Sequence, residues 1–518
     1  MKRFVLLLLT ATLCLGGYGQ DVYAPYRQHW LEQAQRYTPV LQERVCHPVD
    51  TVDIVPDSAA FQGWKAVPGS AVFDFGRHLT GYLTLRFRVL SGNQDAPLRA
   101  CIRMGEIPAE LMLSREPWTG TLSRAWLQDE TVTVWDLSAP LTLSRRFSGR
   151  YLSVTFPDTP TAFSFAVDDV SLRAVSAAGE APQVEGRIPQ MALATLSECM
   201  QTVMEDGPKR DRRLWAGDFY LGMLANRYSF RNMDLVRRCL YLLAGCAAPD
   251  GTLNSQVYES PQPHPQEWSY APDASLYFPL MLQEYLDQTG DLDLVRDLWP
   301  VAVKQLQTAL GFLDARSLFH PSVPVWQVFD WCEGLDRTTS THGLLICALR
   351  QGALLAEKLG DAPLAEQWRT RAAEMQEAAR RYLWKSGVFV SGDAQQRSVH
   401  SQIWMVLGDV VSGPAARRVL LRALSDPQFL RPNTPGAMHF LVEALIRCGM
   451  EEEARQVMRS CWGAMAGLGL DTFCEIWDAD HPDASPYGHP GLNSYCHLWA
   501  STPLYFWGRY PAIFAGIR

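Results

Sequence analysis

The stretch VDDVSLRAVSAAGEAPQVEGRIPQMALATLSEC, residues 167–199, holds the change of texture that decides the fold. It begins as a strand, VDDVSLRAV, passes through a linker containing Gly and Pro (GEAPQVEGRIP, 179–189), and ends with apolar residues at helical spacing. Upstream, from about residue 50, short runs rich in Val, Leu, Phe and Thr are broken by Gly, Pro, Asp and Asn. Examples are GYLTLRFRVL (81–90), LRACIRMGEI (98–107), DETVTVWDL (129–137) and GRYLSVTF (149–156). In GYLTLRFRV apolar and polar residues alternate, as a strand with one buried face requires. Several such strands without intervening helical patterns predict a β-sandwich over 50–180, preceded by a short helical lead-in over 20–49. Downstream the 3.6-residue period persists through about twelve segments between residue 189 and residue 508. Twelve helices predict six antiparallel hairpins closed into an (α/α)6 toroid over 186–518. A helix-pair solenoid is disfavoured because its fixed repeat length is missing.

The composition suits this architecture and excludes others. Of 518 residues 47% are apolar and 20% charged, which leaves no room for long disorder. The 17 Trp, 18 Tyr and 21 Phe fill cores and leave rings to spare for a cleft that stacks on sugars. A net charge of −8 gives no long-range attraction to nucleic acid or anionic lipid. The start, MKRFVLLLLTATLCLGGYGQ, sets Lys2 and Arg3 before an apolar run and then small residues. That is the layout of a signal peptide over 1–19, with export to the periplasm or beyond as the expectation. Leu13 before Cys14 disfavours lipidation, and no later apolar run of about 18 residues follows, so the processed chain is expected to be soluble. The eleven cysteines beyond Cys14 are irregularly spaced without a CxxC. They read as small buried hydrophobes rather than a disulfide framework, although one or two isolated bridges are compatible with the pattern.

The long loops carry the unusual residues. DGPKRDRRLWAGD (206–218) packs Asp206, Asp211 and Asp218 with Lys209, Arg210, Arg212 and Arg213 around Trp215. Charges this dense can fix a carboxylate and set its acidity, although a salt-bridged helix start capped by Asp218 has the same composition. DTFCEIWDADHPDASPYGHPGLNSYCHLW (471–499) places Glu475 between apolar residues near Trp477, followed by His481, His489 and His497. The histidines lack zinc spacing, and Asp478, Asp480 and Asp483 read as solvated charge rather than calcium ligands. VWQVFDWCEGLDR (325–337) offers Asp330 and Trp331, and EWSYAPDAS (267–275) offers Trp268 and Asp273. Both pair an aromatic face with a carboxylate, as sugar binding needs and as an aromatic plug over the core would also have. No phosphate-binding, dinucleotide or serine-hydrolase motif occurs, and neither metal nor cofactor is expected.

Sandwich then toroid, with DGPKRDRRLWAGD opening the second part and CEIWD near its end, resembles the α-L-rhamnosidases of glycoside hydrolase family 78. FDFGRHLTGYLTLRFRV (73–89) and FSGRYLSVTF (147–156) are similar to strands that precede the toroid in that family. The resemblance implies that Asp211 is the general acid, Glu475 the general base, and His497 a pocket residue. It also implies that Asp206, Arg210 and Asp218 bind or orient around the sugar, that Asp330 and Trp331 form a substrate loop, and that Trp215, Trp268, Trp331 and Trp477 wall the sugar. Asp211 stands where the family usually has Glu, one methylene longer. The chain also ends at FAGIR, near where family members usually begin a small C-terminal β-domain, which implies a more open cleft. The expected reaction is inverting hydrolysis of a terminal α-L-rhamnoside, with carboxyl groups ~6.5 to 9.5 Å apart. The alternatives are another sugar on the same fold, or a glycan-binding protein without turnover.

Overall fold

The computed structural model describes residues 21–52, 71–92, 96–114, 116–159, 163–265, 270–478, 480–481 and 485–517; the expected signal segment 1–19, Trp268 and Asp483 lie outside them. The first part is a sheet of seven strands: β1 (Gln42–Cys46), β2 (Asp50–Val52), β3 (Ala71–Ser91), β4 (Leu98–Gly105), β5 (Asp129–Val134), β6 (Leu141–Thr155) and β7 (Ser164–Ser176). Their order is β1-β7-β3-β6-β4-β5, with β2 also paired to β3 and every pairing antiparallel. The long strands β3 and β6 shift register between Asp74 and Leu79 and again between Tyr82 and Thr84. Such irregularities bend strands, and the sheet wraps one apolar core built by Leu83, Leu85, Phe87, Ile102, Phe147, Leu152 and Leu172. Gly81 is required at the bend, because a Cβ there would collide with the Arg173 carbonyl of β7.

The expected lead-in divides between both parts of the molecule. Helix α1 (Ala24–Arg36) packs on the helical domain, where Arg27 donates to the Gly245 and Ala247 carbonyls, both at 2.7 Å. The next element is strand β1 at the sheet edge, whose partner is β7. A five-residue helix, α2 (Pro108–Met112), follows β4.

The helical domain has an inner ring of α4 (Ala216–Arg227), α6 (Pro272–Thr289), α8 (Thr338–Lys358), α10 (Val399–Leu407), α12 (Pro435–Arg447) and α15 (Pro503–Arg509). Around it lie α3 (Arg187–Cys199), α5 (Met233–Gly245), α7 (Leu292–Leu310), α9 (Ala362–Ala378), α11 (Gly413–Ser425) and α13 (Glu451–Met458), the last continued through a π-turn into α14 (Ala464–Gly467). This is the toroid of six hairpins that the periodicity predicts. Residues 493–502, expected to be helical, hold only one short 3-10 turn, Leu498–Ser501, and no α-helix. The Leu498 amide donates to the Asp206 carbonyl at 2.7 Å and the His497 amide to that of Phe473 at 3.0 Å, so cross-links between loops replace the helical bonds.

All six inner helices run the same way. Their first turns and preceding loops surround one mouth of the ring, whereas their C-terminal halves line a cavity of about 520 Å³ at the other. There Arg227, Arg447 and Arg509 occupy the last turns of α4, α12 and α15, where cations complement the helix dipoles.

Candidate active site

At the first mouth a cleft of about 440 Å³ collects Asp206, Arg210, Asp211, Trp215, Asp218, Trp331, Glu475 and His497, residues separated by up to 291 positions in sequence. The loop after α3 closes on itself: the Asp206 amide donates to the Arg213 carbonyl, and the Arg213 amide to Asp206 Oδ1, both at 3.0 Å. Inside this neck Asp211 and Arg212 adopt left-handed backbone, with φ of 63° and 54°. Such conformations are uncommon outside glycine, and at functional sites they persist when the surroundings impose them. The Asp211 carboxylate then lies 3.3 Å from Arg210 Nη1 and 4.0 Å from Arg213 Nη1.

Glu475 is buried, with both oxygens engaged. Oε1 accepts from Trp331 Nε1 at 3.1 Å and from the Tyr487 hydroxyl, and Oε2 accepts from Arg210 Nη2. Burial alone would raise this carboxyl. The Arg210 guanidinium, aided by the Tyr487 hydroxyl, outweighs burial and holds it below the usual carboxylate range. Arg210 is fixed in turn by the Leu492 carbonyl at 2.8 Å and lies over the Tyr487 ring. Asp218 shows the opposite balance. Burial, then the nearby Glu475 charge, raises its pKa well above the ordinary value, and its Oδ1 has no hydrogen-bond partner. That oxygen lies 3.4 Å from Nδ1 of His497, whose imidazole burial lowers to about 4 and so keeps neutral. Asp206 is likewise pushed up, by burial and then by Asp211 and Asp218. The cleft therefore sets a Glu475 carboxyl held low beside Asp206 and Asp218 carboxyls pushed up.

Three expected contacts take other roles. Asp330 faces away from the cleft. Its Oδ2 accepts from His400 Nε2 at 2.5 Å and from the Asn433 amide at 3.1 Å, and its Oδ1 accepts from the Trp331 amide at 3.0 Å, which orients Trp331. Asp273 accepts the Val328 and Phe329 amides at 2.7 and 3.1 Å and so shapes the same loop, with burial lifting it to about 6. Trp477 donates to the Ser460 carbonyl at 3.3 Å and does not line the cleft. Trp331, expected as a wall, is also a donor to Glu475.

Several lining residues were not foreseen. Tyr487 comes from the Pro- and Gly-rich part of 471–499, where an aromatic in a loop was a readable signal. Trp499 donates its indole N–H to the Glu475 carbonyl at 2.9 Å and packs on His497. The short strands β8 (Leu214–Trp215), β9 (Gln256–Tyr258) and β10 (His264–Pro265) form a small sheet that brings Gln256 and Tyr258 beside Trp215. Leu122, Ser123 and Trp126 come from the sheet domain and reach the cleft only through domain packing, which no local pattern announces. Among the described residues there is no cluster of His, Cys, Asp or Glu able to hold a metal, and no helix long and apolar enough to cross a membrane.

Comparison with known proteins agrees with this geometry. Residues 68–174 match the glycosyl hydrolase family 78 α-rhamnosidase N-terminal domain, and residues 181–510 match the bacterial α-L-rhamnosidase six-hairpin glycosidase domain. No curated protein matches. Among solved structures, a rhamnosidase from Klebsiella oxytoca with rhamnose bound is 36% identical over 93% of this chain and 99% of that one, with a TM-score of 0.89. The family 78 rhamnosidase of Bacillus sp. GL1 is 21% identical over 85% of this chain and 46% of that one (TM-score 0.71). The α-L-rhamnosidase of Streptomyces avermitilis complexed with L-rhamnose is 18% identical over 91% and 44% (TM-score 0.65). Both share the fold. The chain belongs to the bacterial α-L-rhamnosidases of glycosyl hydrolase family 78 and is a glycoside hydrolase.

Proposed function

We propose that this protein removes terminal α-L-rhamnose from glycosides with inversion at the anomeric carbon. The observation that carries the reading is Glu475, a fully buried carboxylate kept ionised by Arg210 and Tyr487 at the floor of the cleft. A carboxylate has about four acceptor directions, and Trp331, Tyr487 and Arg210 use three. The remaining one suits a water, which Glu475 deprotonates as that water attacks the anomeric carbon. A carboxylic acid on the opposite face protonates the departing glycosidic oxygen. Correspondence with the family assigns that proton to Asp211. A second reading assigns it to Asp218, whose carboxyl burial raises well above the ordinary value and whose Oδ1 is unpartnered beside the cleft. Asp206, Asp218 and neutral His497 supply donors and acceptors for sugar hydroxyls, with Trp215 and Trp499 as apolar walls. A cleft floored by buried Asp218, Glu475 and His497 fits an exo action on a terminal sugar. The deciding experiment is sugar release from a panel of aryl glycosides, α-L-rhamnoside first. Release from the rhamnoside that disappears in Glu475→Gln is the expected result, whereas sugar binding without turnover on any glycoside would make the protein a binding module. The proposal includes export, on the charged-then-apolar start of the chain; N-terminal sequencing of the protein from its native host should begin near Gln20, and an intact Met1 would contradict it.

A further inference from the structure

We infer that the sheet domain is a working part of the active site: through Lys209 it fixes the geometry of both sides of the cleft. This rests on the hydrolase reading above. Lys209 immediately precedes Arg210 and Asp211 but does not itself line the cleft, being buried to 2% exposure. Its Nζ lies 2.9 Å from Glu106 Oε2, and it also donates to Glu110 Oε1 and to the Asn493 carbonyl. Glu106 follows β4 and Glu110 lies in α2, so both carboxylates belong to the sheet domain. Glu106 also reaches the other side of the site. The same Oε2 accepts the Tyr495 amide at 2.7 Å, next to the Ser494 carbonyl that receives the Glu475 amide at 2.9 Å. Its Oε1 pairs with His78 Nε2 of β3 at 3.1 Å.

A second set of anchors brackets the left-handed residues from the far side. Arg212 Nη2 donates to the Arg146 carbonyl of β6 at 2.8 Å, and Arg146 pairs with Glu205 at 2.6 Å. Asp211 and Arg212, at positive φ, thus lie between anchors from the β4–α2 turn and α2, made through Lys209, and from β6, made through Arg212. A third tie reaches Tyr487, whose carbonyl accepts the Thr121 amide at 2.8 Å. The toroid supplies the reacting groups, and the sheet domain dictates where Arg210 and Asp211 stand relative to Glu475.

Lys209 is therefore a positioning residue, and its loss should act on turnover more than on binding, since misplacements of about 1 Å cost roughly a hundredfold. The test compares wild type, Lys209→Met and the milder Glu110→Gln by kcat and KM on an aryl α-L-rhamnoside, with melting temperature recorded for each. Trp368→Phe, a buried substitution in α9 remote from the cleft, serves as a control for destabilisation alone. The expected result is a kcat loss of about 30- to 100-fold in Lys209→Met and a smaller loss in Glu110→Gln, with KM within about threefold in both. Trp368→Phe should keep its kcat at whatever melting temperature it shows. A folded Lys209→Met with kcat within twofold of wild type would overturn the inference. So would a kcat loss in Glu110→Gln no larger than that of an equally destabilised Trp368→Phe. Hydrogen exchange gives a readout independent of turnover: the Asp206 and Arg213 amides should exchange faster in either sheet-contact variant while α9 is unchanged. Unchanged exchange at those amides overturns the positioning role even if wild type proves inactive on every glycoside, an outcome that separately sinks the hydrolase reading.

Discussion

The two mouths of the toroid are built from the same six helices and both mix arginines with carboxylates, but they balance those charges differently. Where the inner helices begin, Asp218 and Asp273 sit in first turns, and loops add Asp206, Asp211 and Glu475 around one fully buried guanidinium, Arg210. Where the same helices end, Arg227, Arg447 and Arg509 stand in last turns, and Arg227 pairs with Glu284 at 2.7 Å. Helix dipoles favour both arrangements, by about 0.3–1 kcal/mol per charge. At the far mouth Glu284, Asp287 and Glu443 line the same cavity, so the arginines there stand among carboxylates. At the near mouth burial opposes the dipole preference, raising the Asp218 carboxyl well above the ordinary carboxylate value despite its place at a helix N-terminus. The near mouth is also covered, by the long loops and by Leu122, Ser123 and Trp126 of the sheet domain. Beneath that cover Glu475 is held below the usual carboxylate range while burial raises Asp206 and Asp218, and this divergence suits the near mouth to acid–base chemistry.

If that contrast is functional, substitutions at the near mouth should cost far more activity than those at the far one. Glu475→Gln should have the largest effect, a loss of about 10³-fold in kcat on an aryl α-L-rhamnoside, since general bases contribute roughly 10²–10⁴. Retention of a tenth of wild-type kcat would end its role as base. Next come Asp211→Asn and Asp218→Asn, which separate the two candidate proton donors. The variant lacking the donor should lose about 10²-fold on a poor leaving group and much less on a nitrophenolate, which departs without protonation. The other variant should lose activity alike on both substrates. Equal sensitivity in both would leave neither residue as the donor.

Tyr487→Phe should have a smaller effect, a fall in kcat of about threefold to tenfold together with a shift in pH dependence. The sign follows from Glu475, whose carboxyl burial would raise and which Arg210 and the Tyr487 hydroxyl hold low. Removing the hydroxyl raises the pKa of the base, so the acid limb of kcat/KM should move to higher pH. A limb that stays fixed or moves to lower pH would show that Tyr487 does not tune Glu475. At the far mouth, Arg447→Met should leave kcat within twofold and cost about 0.5 kcal/mol of stability, read from denaturant unfolding. A tenfold loss of kcat there would erase the contrast between the mouths.

Much of this arrangement was legible in the sequence, for reasons that also explain the rest. Period-two runs such as GYLTLRFRV and the 3.6-residue spacing after residue 189 report which faces are buried, so the order of sheet-rich and helical domains could be read directly. The charged loop 206–218 and Glu475 stood out because carboxylates beside Arg and Trp are uncommon composition. Asp330 and Trp477 misled because composition does not tell which way a side chain turns. Asp330 is consumed by His400 and the Asn433 and Trp331 amides, contacts that exist only after the chain has folded. Trp126 gave no signal, since its place in the cleft depends on how two domains pack. The lead-in reads as one helical unit in the sequence because QERVC is too short to declare itself a strand without its partner β7.

The central claim is that buried, ionised Glu475 activates a water rather than attacking the sugar itself. It is tested most directly by following hydrolysis of an aryl α-L-rhamnoside by proton NMR from the first minutes, before the free sugar equilibrates. The account predicts that β-L-rhamnose appears first and the α-anomer only later by mutarotation. Initial release of α-L-rhamnose would mean net retention through a covalent intermediate and would contradict the role of Glu475 as general base.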